Sequence, residues 1–307
     1  MAERPEEASG VDKRLVRKAF ERAATSYDAH AVLQREIADR MIARLDYIRH
    51  QPKIVLDAGA GTGFGTRGLR SRYPETSVIA LDLATAMLKL ANPSQSWWQK
   101  LRRTSNVHSV CGDIDALPLK TSSIDMIWSS LALQWCNDLN VSFAELYRVL
   151  APGGLLMFAT FGPDTLNQLR SAFATVDGYT HVNRFVDMHD IGDVLMSAGF
   201  NAPVMDMEYI TLTYTDLKTM LCELKAIGAH NVTDGRNPGL TGRDRWRKLE
   251  AAFELFRTNG RLPATYEVIY GHAWIDQKMP RADRSAEGYQ VVQMNLRGNS
   301  VKSYRTE

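Results

Sequence analysis

The sequence predicts an α/β protein with a mostly parallel β-sheet. Over the first half of the chain, short apolar runs alternate with helical or irregular stretches, a glycine-rich loop follows the first run, and two of the runs end in an aspartate. Such alternation indicates parallel strands joined by right-handed crossovers. The strands predicted in this half cover residues 53–57, 77–82, 107–111, 124–129 and 155–161.

The remaining elements lie on either side of these strands. Before them, apolar or small residues at helical spacing predict a helix over residues 11–47. Pro152-Gly153-Gly154 predicts a tight turn into the fifth strand. Two further strand-like runs, 203–214 and 264–274, are separated by a charged helical region, so we expect a pair of strands at the sheet edge and a helical cap.

Composition and charge argue against several functional classes. The chain has 307 residues, 45% of them hydrophobic, and its net charge of +2 is too small to indicate general nucleic-acid binding. The three cysteines form no C-x-x-C pair and the seven histidines show no metal-ligand spacing; His181 and His189 are left without a role. A polar N-terminus without an apolar signal segment, and the absence of an apolar run of about 20 residues, favour a cytoplasmic protein that does not span a membrane.

The glycine-rich loop follows the first strand and its terminal Asp57. Glycines let main-chain N–H groups approach a ligand closely. Gly59, Gly61 and Gly63 form G-x-G-x-G, whereas the dinucleotide fingerprint G-x-G-x-x-G requires a glycine where Phe64 stands. The spacing therefore favours a nucleotide-like ligand without a pyrophosphate.

Asp82 ends the second apolar run, 19 residues beyond Gly63. That distance accommodates one crossover helix with its turns. In doubly wound folds, an acid at the tip of the second strand accepts hydrogen bonds from both ribose hydroxyls of the ligand. The alternative is that Asp82 only caps the helix that follows it. We favour ligand binding because Asp82 follows the glycine loop at the expected distance.

Several of these features resemble the motifs of class I S-adenosylmethionine-dependent methyltransferases. The matching residues are the loop from Asp57 to Gly63, Asp82, Gly112-Asp113-Ile114 and Pro152-Gly153-Gly154. More specific segments, spread through nearly the whole chain, resemble the malonyl-[acyl-carrier protein] O-methyltransferase family. These segments are residues 16–20, 22–24, 27–28, 33–36, 131–136, 183–185, 225–229 and 266–271.

The resemblance implies a Rossmann-like, seven-stranded sheet that is mostly parallel with an antiparallel last strand, together with N-terminal helices and a helical cap. It also implies S-adenosyl-L-methionine as the cofactor. The expected segments are a disordered N-terminus (1–10), an N-terminal helical lid (11–50), the S-adenosylmethionine-binding core (51–161), cap insertions with the sixth strand (162–262), the last strand (263–276) and a charged tail (277–307).

The resemblance assigns roles in cofactor binding. Asp57 and the glycine-loop backbone would hold the methionine part, although an acid at this position also suits a helix cap. Asp113 would contact the adenine amino group and the N–H of Ile114 a ring nitrogen; the alternative for Asp113 is an exposed turn. The predicted cofactor-binding residues are Asp57, Gly59, Gly61, Gly63, Asp82, Asp113, Ile114 and Leu131.

The implied reaction is transfer of a methyl group from S-adenosylmethionine to the free carboxylate of a malonyl thioester. The product would be the methyl ester that primes pimeloyl synthesis for biotin. A malonyl carboxylate is already ionised at neutral pH, so the reaction needs no base. It needs a cation to hold the substrate, and the planar guanidinium of arginine suits a carboxylate.

Arg184 is the first candidate for that cation, with Lys225 and Arg236 as alternatives; the alternative for Arg184 is a surface arginine. Tyr27 from the lid and Gln134 from the turn after the fourth strand would face the reaction site. Packing is an equal alternative for Tyr27. The predicted catalytic residues are therefore Arg184, Tyr27 and Gln134, with no metal.

The expected partner is an acyl carrier protein that carries the malonyl group, with no nucleic-acid or membrane partner. Acyl carrier proteins are acidic, so a basic surface would speed their encounter with the enzyme. The candidate basic residues are Lys100, Arg102 and Arg103 in one cluster and Arg243, Arg245, Arg247 and Lys248 in another.

Three other functions are alternatives, and an observation counts against each of them. The chain could methylate another small acid or a quinone, but carbon methylation would require a base that the sequence does not identify. It could be an assembly factor or hydroxylase that keeps the methyltransferase fold, although its glycine loop is intact. A nucleotide-binding oxidoreductase conflicts with the incomplete dinucleotide fingerprint.

Overall fold

The computed structural model describes residues 10–92, 106–229, 231–232 and 242–276. Within them, seven strands form a single sheet. The strands are β1 (Ile54–Ala58), β2 (Ser77–Asp82), β3 (Val107–Cys111), β4 (Ile124–Ser130), β5 (Leu150–Phe161), β6 (Asn201–Tyr214) and β7 (Leu262–Trp274). The α-helices of the described ranges are α1 (Lys13–His30), α2 (Val32–Arg44), α3 (Phe64–Arg72), α4 (Thr85–Ala91), α5 (Leu139–Val149), α6 (Asn167–Ala174), α7 (Met188–Ser197), α8 (Leu217–Ala226) and α9 (Arg243–Glu254).

The sheet has the strand order β3-β2-β1-β4-β5-β7-β6. The strands from β3 to β5 pair in parallel, and β7 is antiparallel to both β5 and β6. The predicted fold class is therefore confirmed. The strand order reverses between β1 and β4, which is where open α/β sheets bind ligands beyond the carboxyl ends of their strands.

Apolar side chains cover both faces of the sheet, as a mostly parallel sheet requires. Successive strand residues point to opposite faces, so Val55 joins one buried cluster and Leu56 the other. The first cluster includes side chains of α2 and α9, and the second includes side chains of α5 and α7. Packing on both faces holds the strand ends, and the loops that leave them, in fixed positions.

The predicted helix over residues 11–47 is two helices. α1 ends at His30 and α2 begins at Val32, and a 3₁₀ turn follows at Leu45–Tyr47. Ala31 has φ −80° and ψ 46°, which is outside the helical region. This bend lets α2 pack on the sheet and α3 while α1 packs on α4 and α8. The predicted N-terminal helices are confirmed, but the break at Ala31 was not predicted because helical spacing of apolar residues continues across it.

The turn predicted at Pro152-Gly153-Gly154 lies inside β5, which begins at Leu150. Gly153 has φ +78°. Gly153 donates its N–H to the Ile275 carbonyl over 3.0 Å, and the Ile275 N–H bonds the Gly154 carbonyl over 3.0 Å. The prediction of a turn was wrong because a glycine bend within a strand has the same sequence signature as a turn.

Several predictions fall on residues outside the described ranges. These are the N-terminal segment 1–9, Lys100, Arg102, Arg103, Arg236 and the tail 277–307. The division of the chain into lid, core and cap remains a proposal. No described helix is long and apolar enough to cross a membrane.

Candidate active site

The glycine loop after β1 is shaped by close neighbours. Gly59 and Gly63 have φ of +86° and +83°, and a Cβ on Gly59 would lie 2.2 Å from the Ala132 Cβ. A Cβ on Gly63 would lie 2.7 Å from the Ala91 Cα, whereas Gly61, at φ +53°, faces open space. Glycine is therefore required at the first and third positions by the protein itself, and Gly61 leaves room for a ligand.

Asp57 is buried at the end of β1, with 2% of its surface exposed. Its Oδ2 accepts a hydrogen bond from the Thr66 hydroxyl over 2.5 Å. Burial raises the pKa of Asp57 to about 7; the nearby Asp82 charge raises it further, and hydrogen bonds from Thr66 oppose the rise. Because Thr66 lies in the first turn of α3, the contact expected of a helix-capping acid is present, and a role in cofactor binding stays a proposal.

Asp82 joins the glycine loop to the end of β2. Its Oδ2 accepts from the Gly61 N–H over 2.9 Å and its Oδ1 from the Ala84 N–H over 2.8 Å. Burial raises the pKa of Asp82 against the effect of these two bonds, and the Glu21 charge also raises it. The carboxylate borders the pocket between the strand ends, where its remaining lone pairs can accept hydroxyl groups.

Glu21 of α1 caps the helix after Asp82, a contact that the sequence did not suggest. Its carboxylate accepts from the Thr85 N–H over 2.7 Å, the Thr85 hydroxyl over 2.9 Å and the Ala86 N–H over 3.1 Å. Burial would raise the pKa of Glu21, but these bonds outweigh it and lower the pKa. The first-turn donors of α4 are thus taken by Glu21, which leaves Asp82 available to a ligand.

Asp113 and Ile114 border the same pocket after β3. Lys13 of α1 places its Nζ 2.5 Å from Asp113 Oδ1 and 2.5 Å from Asp115 Oδ2. Burial lowers the pKa of Lys13, yet its hydrogen bonds to the two carboxylates give a net rise. Lys13 therefore stays charged and links α1 to the loop that carries Asp113.

Helix α1 borders this pocket and is also tied to the glycine loop. The Thr62 hydroxyl donates to Asp28 Oδ1 over 2.5 Å. Tyr27 lies next to that contact and borders the pocket; burial raises the pKa of its hydroxyl, as do the charges of Asp82 and Asp28. The Tyr27 phenol therefore keeps its proton and can act as a hydrogen-bond donor.

The pocket between the strand ends, which Gly61, Asp82, Asp113 and Ile114 line, is here called the cofactor pocket, and a second, larger cavity adjoins it. The cofactor pocket has a volume of about 80 Å³ and the larger cavity, here called the acceptor cavity, about 350 Å³. The two share Phe20, Tyr27, Leu131 and Trp135 in their walls. A ligand in the pocket and a ligand in the acceptor cavity would therefore meet at these four side chains.

The acceptor cavity has mostly apolar walls with a few polar groups. Its described lining contains no aspartate or glutamate, while His181 and Lys225 can carry positive charge. Gln34, Gln134 and Asn183 also line it, and the side-chain oxygen of each is buried without a hydrogen-bond partner in the described structure. A buried amide oxygen without a donor is costly, so each of these oxygens is suited to accept a hydrogen bond from a ligand.

Arg184, the predicted clamp for the substrate, lies beside the acceptor cavity. Its side chain is exposed and borders a smaller pocket that shares Gln134, Phe161 and Phe185 with the cavity. The pKa of the neighbouring Arg170 is lowered, mainly by burial and further by the Arg184 charge, whereas the Asp164 charge opposes this change. Arg184 is therefore close enough to Arg170 for the two charges to interact. The structure thus brings Tyr27 and Gln134 into the wall of the acceptor cavity, with Arg184 adjacent to it.

Comparisons with known proteins agree with this geometry. A family model described as a methyltransferase domain matches residues 56–158. Among solved structures, the YcgJ protein of Bacillus subtilis has a TM-score of 0.54 at 16% identity, covering 79% of this chain and 99% of its own. A putative methyltransferase from Bacillus halodurans has a TM-score of 0.55 at 19% identity, and the match covers 77% of this chain and 99% of the other. At these identities the likeness concerns the fold alone.

Sequence relatives are far more similar. The malonyl-[acyl-carrier protein] O-methyltransferase of Gallionella capsiferriformans is 54% identical, covering 94% of this chain and 98% of the relative. The protein of the same name from Nitrosospira multiformis is 57% identical, and the match covers 86% of this chain and 89% of the relative. The protein of that name from Laribacter hongkongensis is also 57% identical, and the match covers 90% of this chain and 93% of the relative. The chain belongs to the malonyl-[acyl-carrier protein] O-methyltransferase family.

Proposed function

We propose that the protein transfers a methyl group from S-adenosylmethionine to the free carboxylate of malonyl-acyl carrier protein. The methyl ester formed would prime pimeloyl synthesis for biotin. The names of the relatives support this activity. The structural observation that supports it best is an acceptor cavity with no acid in its described lining, joined to the cofactor pocket through Tyr27 and Leu131. Such a cavity accepts an anion beside the methyl donor.

The residues around the pocket fit S-adenosylmethionine. Gly61 faces open space. Asp57 lines a separate, smaller pocket beside the glycine loop, which Gly59, Gly61 and Tyr27 also line, and its buried carboxylate would hold an ammonium group there. Asp82 suits two ribose hydroxyls. Lys13 bonds Oδ1 of Asp113, which leaves Oδ2 for the adenine amino group, with the Ile114 N–H as the donor to a ring nitrogen. Leu131 and Gly59 also line the pocket. Gly63, which packs against Ala91, completes the proposed set by shaping the loop.

The protein would act by positioning its substrate. Bound S-adenosylmethionine would supply a sulfonium methyl group, the sulfur keeping the electron pair of the broken bond while a carboxylate oxygen forms the new one. No residue has to remove a proton, because the carboxylate is ionised. Tyr27 and Gln134 would orient the acyl group by hydrogen bonds, and the apolar wall would exclude water. Arg184 remains the candidate cation that the sequence suggests.

We also propose the carrier protein as the partner, and neither nucleic acid nor membrane. Arg243, Arg245, Arg247 and Lys248 lie exposed on α9. Arg245 approaches Asp177, which is hydrogen-bonded to the cavity residue His181, so α9 lies near the acceptor cavity. These four cations lie in the first half of α9, apart from Glu250 and Glu254 in its second half, and in this position they would steer an acidic carrier protein.

The activity is tested by incubating the pure protein with labelled S-adenosylmethionine and malonyl-acyl carrier protein. We expect a base-labile methyl ester on the carrier. Acetyl-acyl carrier protein, which lacks the free carboxylate, is the matched control and should remain unlabelled. Binding of the cofactor without transfer to any malonyl thioester would contradict the proposed function.

A further inference from the structure

His181 lies in the wall of the acceptor cavity in a fixed orientation. Its Nε2 lies 2.7 Å from Oδ1 of Asp177. Its ring stacks on Phe173, with 3.8 Å between the ring centroids and 5° between the planes. The His181 side chain is 15% exposed and that of Asp177 is 10% exposed. A ring held by both a hydrogen bond and a stack is preorganised to meet a ligand.

The second ring nitrogen, Nδ1, is the atom left for a ligand. Asp177 takes Nε2, and within the described part of the chain no hydrogen bond is formed by Nδ1. A protonated ring presents Nδ1–H as a charged donor, whereas the neutral ring that donates Nε2–H to Asp177 presents Nδ1 as an acceptor.

Charges around His181 alternate in sign. Arg245 of α9 places Nη1 3.9 Å from Oδ2 of Asp177, so Asp177 lies between Arg245 and His181. Lys225 of α8 is the other group in the described cavity lining able to carry positive charge, and its side chain is exposed. An anion next to a protonated His181 would complete the sequence of alternating charges.

The remaining titratable groups in the described lining are two tyrosines, Tyr27 and Tyr266. Burial raises the pKa of each hydroxyl, so both stay neutral near physiological pH. The described lining therefore offers a substrate anion no competing negative charge.

We propose that His181, positioned by Asp177, is the cation that binds the substrate's carboxylate in the acceptor cavity. This inference rests on the proposed function and deepens it. His181 lines the cavity itself, whereas Arg184 borders the neighbouring pocket. Asp177 fixes the orientation of the ring through its hydrogen bond to Nε2, so it acts as a positioning residue.

The same pair of residues would act differently in an enzyme that methylates a hydroxyl or a ring carbon. There, neutral His181 would be a general base. The two roles predict opposite pH dependences. A charged anion-binding ring loses affinity for malonyl-acyl carrier protein as the pH rises from about 6 to about 8.5, whereas a base becomes more effective over the same range.

The test compares His181→Gln with His189→Gln, an exposed histidine of the next helix, α7. Glutamine can still hydrogen-bond Asp177 but carries no charge. For His181→Gln we expect the KM for malonyl-acyl carrier protein to rise about tenfold at a pH of about 6.5 and its pH dependence to flatten, because one charge-assisted contact is lost. His189→Gln should match the wild type. Asp177→Asn should show a smaller rise in KM with a weaker pH dependence.

Acetyl-acyl carrier protein, used as a competitive inhibitor, shows how much of the binding depends on the free carboxylate of the substrate. Its inhibition constant should be the same for wild type and His181→Gln, because it lacks the group that His181 binds. A KM that falls as the pH rises, an equal loss of acetyl and malonyl binding, or a larger loss in Arg184→Gln than in His181→Gln would overturn the proposal. Failure of the proposed function itself would be seen first, as wild-type protein that forms no malonyl methyl ester.

Discussion

The cofactor pocket and the acceptor cavity share a wall but are assembled differently. The pocket is formed mainly by loops at the carboxyl ends of β1 to β4, with α1 above them. The acceptor cavity shares the turn after β4 with the pocket, but most of its side chains come from α1, α2, α6, α8, β7 and the irregular segment 181–185. The pocket therefore depends on backbone geometry that leaves motifs in the sequence. The cavity depends on side chains that only the folded chain brings together.

The largest expected effect is on the backbone-dependent pocket, from Gly59→Ala. The new Cβ would lie 2.2 Å from the Ala132 Cβ, and φ of +86° is strained for alanine. We expect the Kd for S-adenosylmethionine to rise at least about 100-fold, which corresponds to about 2.7 kcal/mol. Isothermal titration calorimetry of the variant and the wild type measures this Kd.

Gly260→Ala is the matched control for Gly59→Ala. Its φ is +74°, and a Cβ there would meet no atom within 4 Å. It should lower the free energy of unfolding by about 1 kcal/mol through strain alone and leave the Kd unchanged. If the two variants bound the cofactor equally well, the close contact with Ala132 would not matter and the pocket would be less dependent on its backbone than we infer.

An intermediate effect is expected from Lys13→Met, where α1 meets the cofactor pocket. Loss of the ammonium leaves the Asp113 and Asp115 carboxylates without a cation between them, although Asp115 keeps its hydrogen bond from the Ser142 hydroxyl. Because Lys13 and the two aspartates are partly exposed, we expect the Kd for S-adenosylmethionine to rise only about tenfold. The KM for the malonyl substrate should not change, since Lys13 borders only the cofactor pocket.

Lys18→Met, on an exposed position of the same helix, is the control for Lys13→Met and should bind the cofactor like the wild type. A rise in the substrate KM that equals the rise in cofactor Kd would show that α1 holds both cavities as one unit. That result would weaken the distinction between them.

The same distinction explains what the sequence could predict. Asp57, the glycine loop and Asp82 lie at strand ends that short apolar runs mark, and the parallel sheet brings those ends together. Their placement therefore followed from local patterns. The strands also matched closely: β2 and β3 cover the predicted ranges, and the other five differ by at most five residues at an end.

Lys13 and Glu21 could not be predicted in this way. Lys13 is 100 residues from Asp113 and Glu21 is 64 residues from Thr85, so no spacing rule connects them. Both contacts exist because α1 bends away from α2 at Ala31 and lies over the strand ends. His181 and Asp177 are only four residues apart, yet the segment between them is not helical, and their pairing depends on the irregular backbone after α6.

The smallest expected effect concerns protonation of Asp57. Burial raises its pKa to about 7, so without a ligand it is about half protonated at neutral pH. A bound ammonium group would favour the carboxylate and lower this pKa, which releases protons on binding. The Kd for S-adenosylmethionine should therefore fall about fourfold between about pH 6.5 and about pH 8. Calorimetry near pH 7 in buffers of different ionisation enthalpy should detect release of about half a proton.

Asp57→Asn separates this effect from other titrations. The variant should bind more weakly, keep a hydrogen bond with Thr66, and release no proton. The wild type without ligand should lose stability as the pH rises from about 4 to about 7, because the folded state then holds a proton that the unfolded state has already lost. Asp57→Asn should lack that loss. Proton release that persists in the variant would assign the titration to another group, such as Asp82, whose pKa burial also raises.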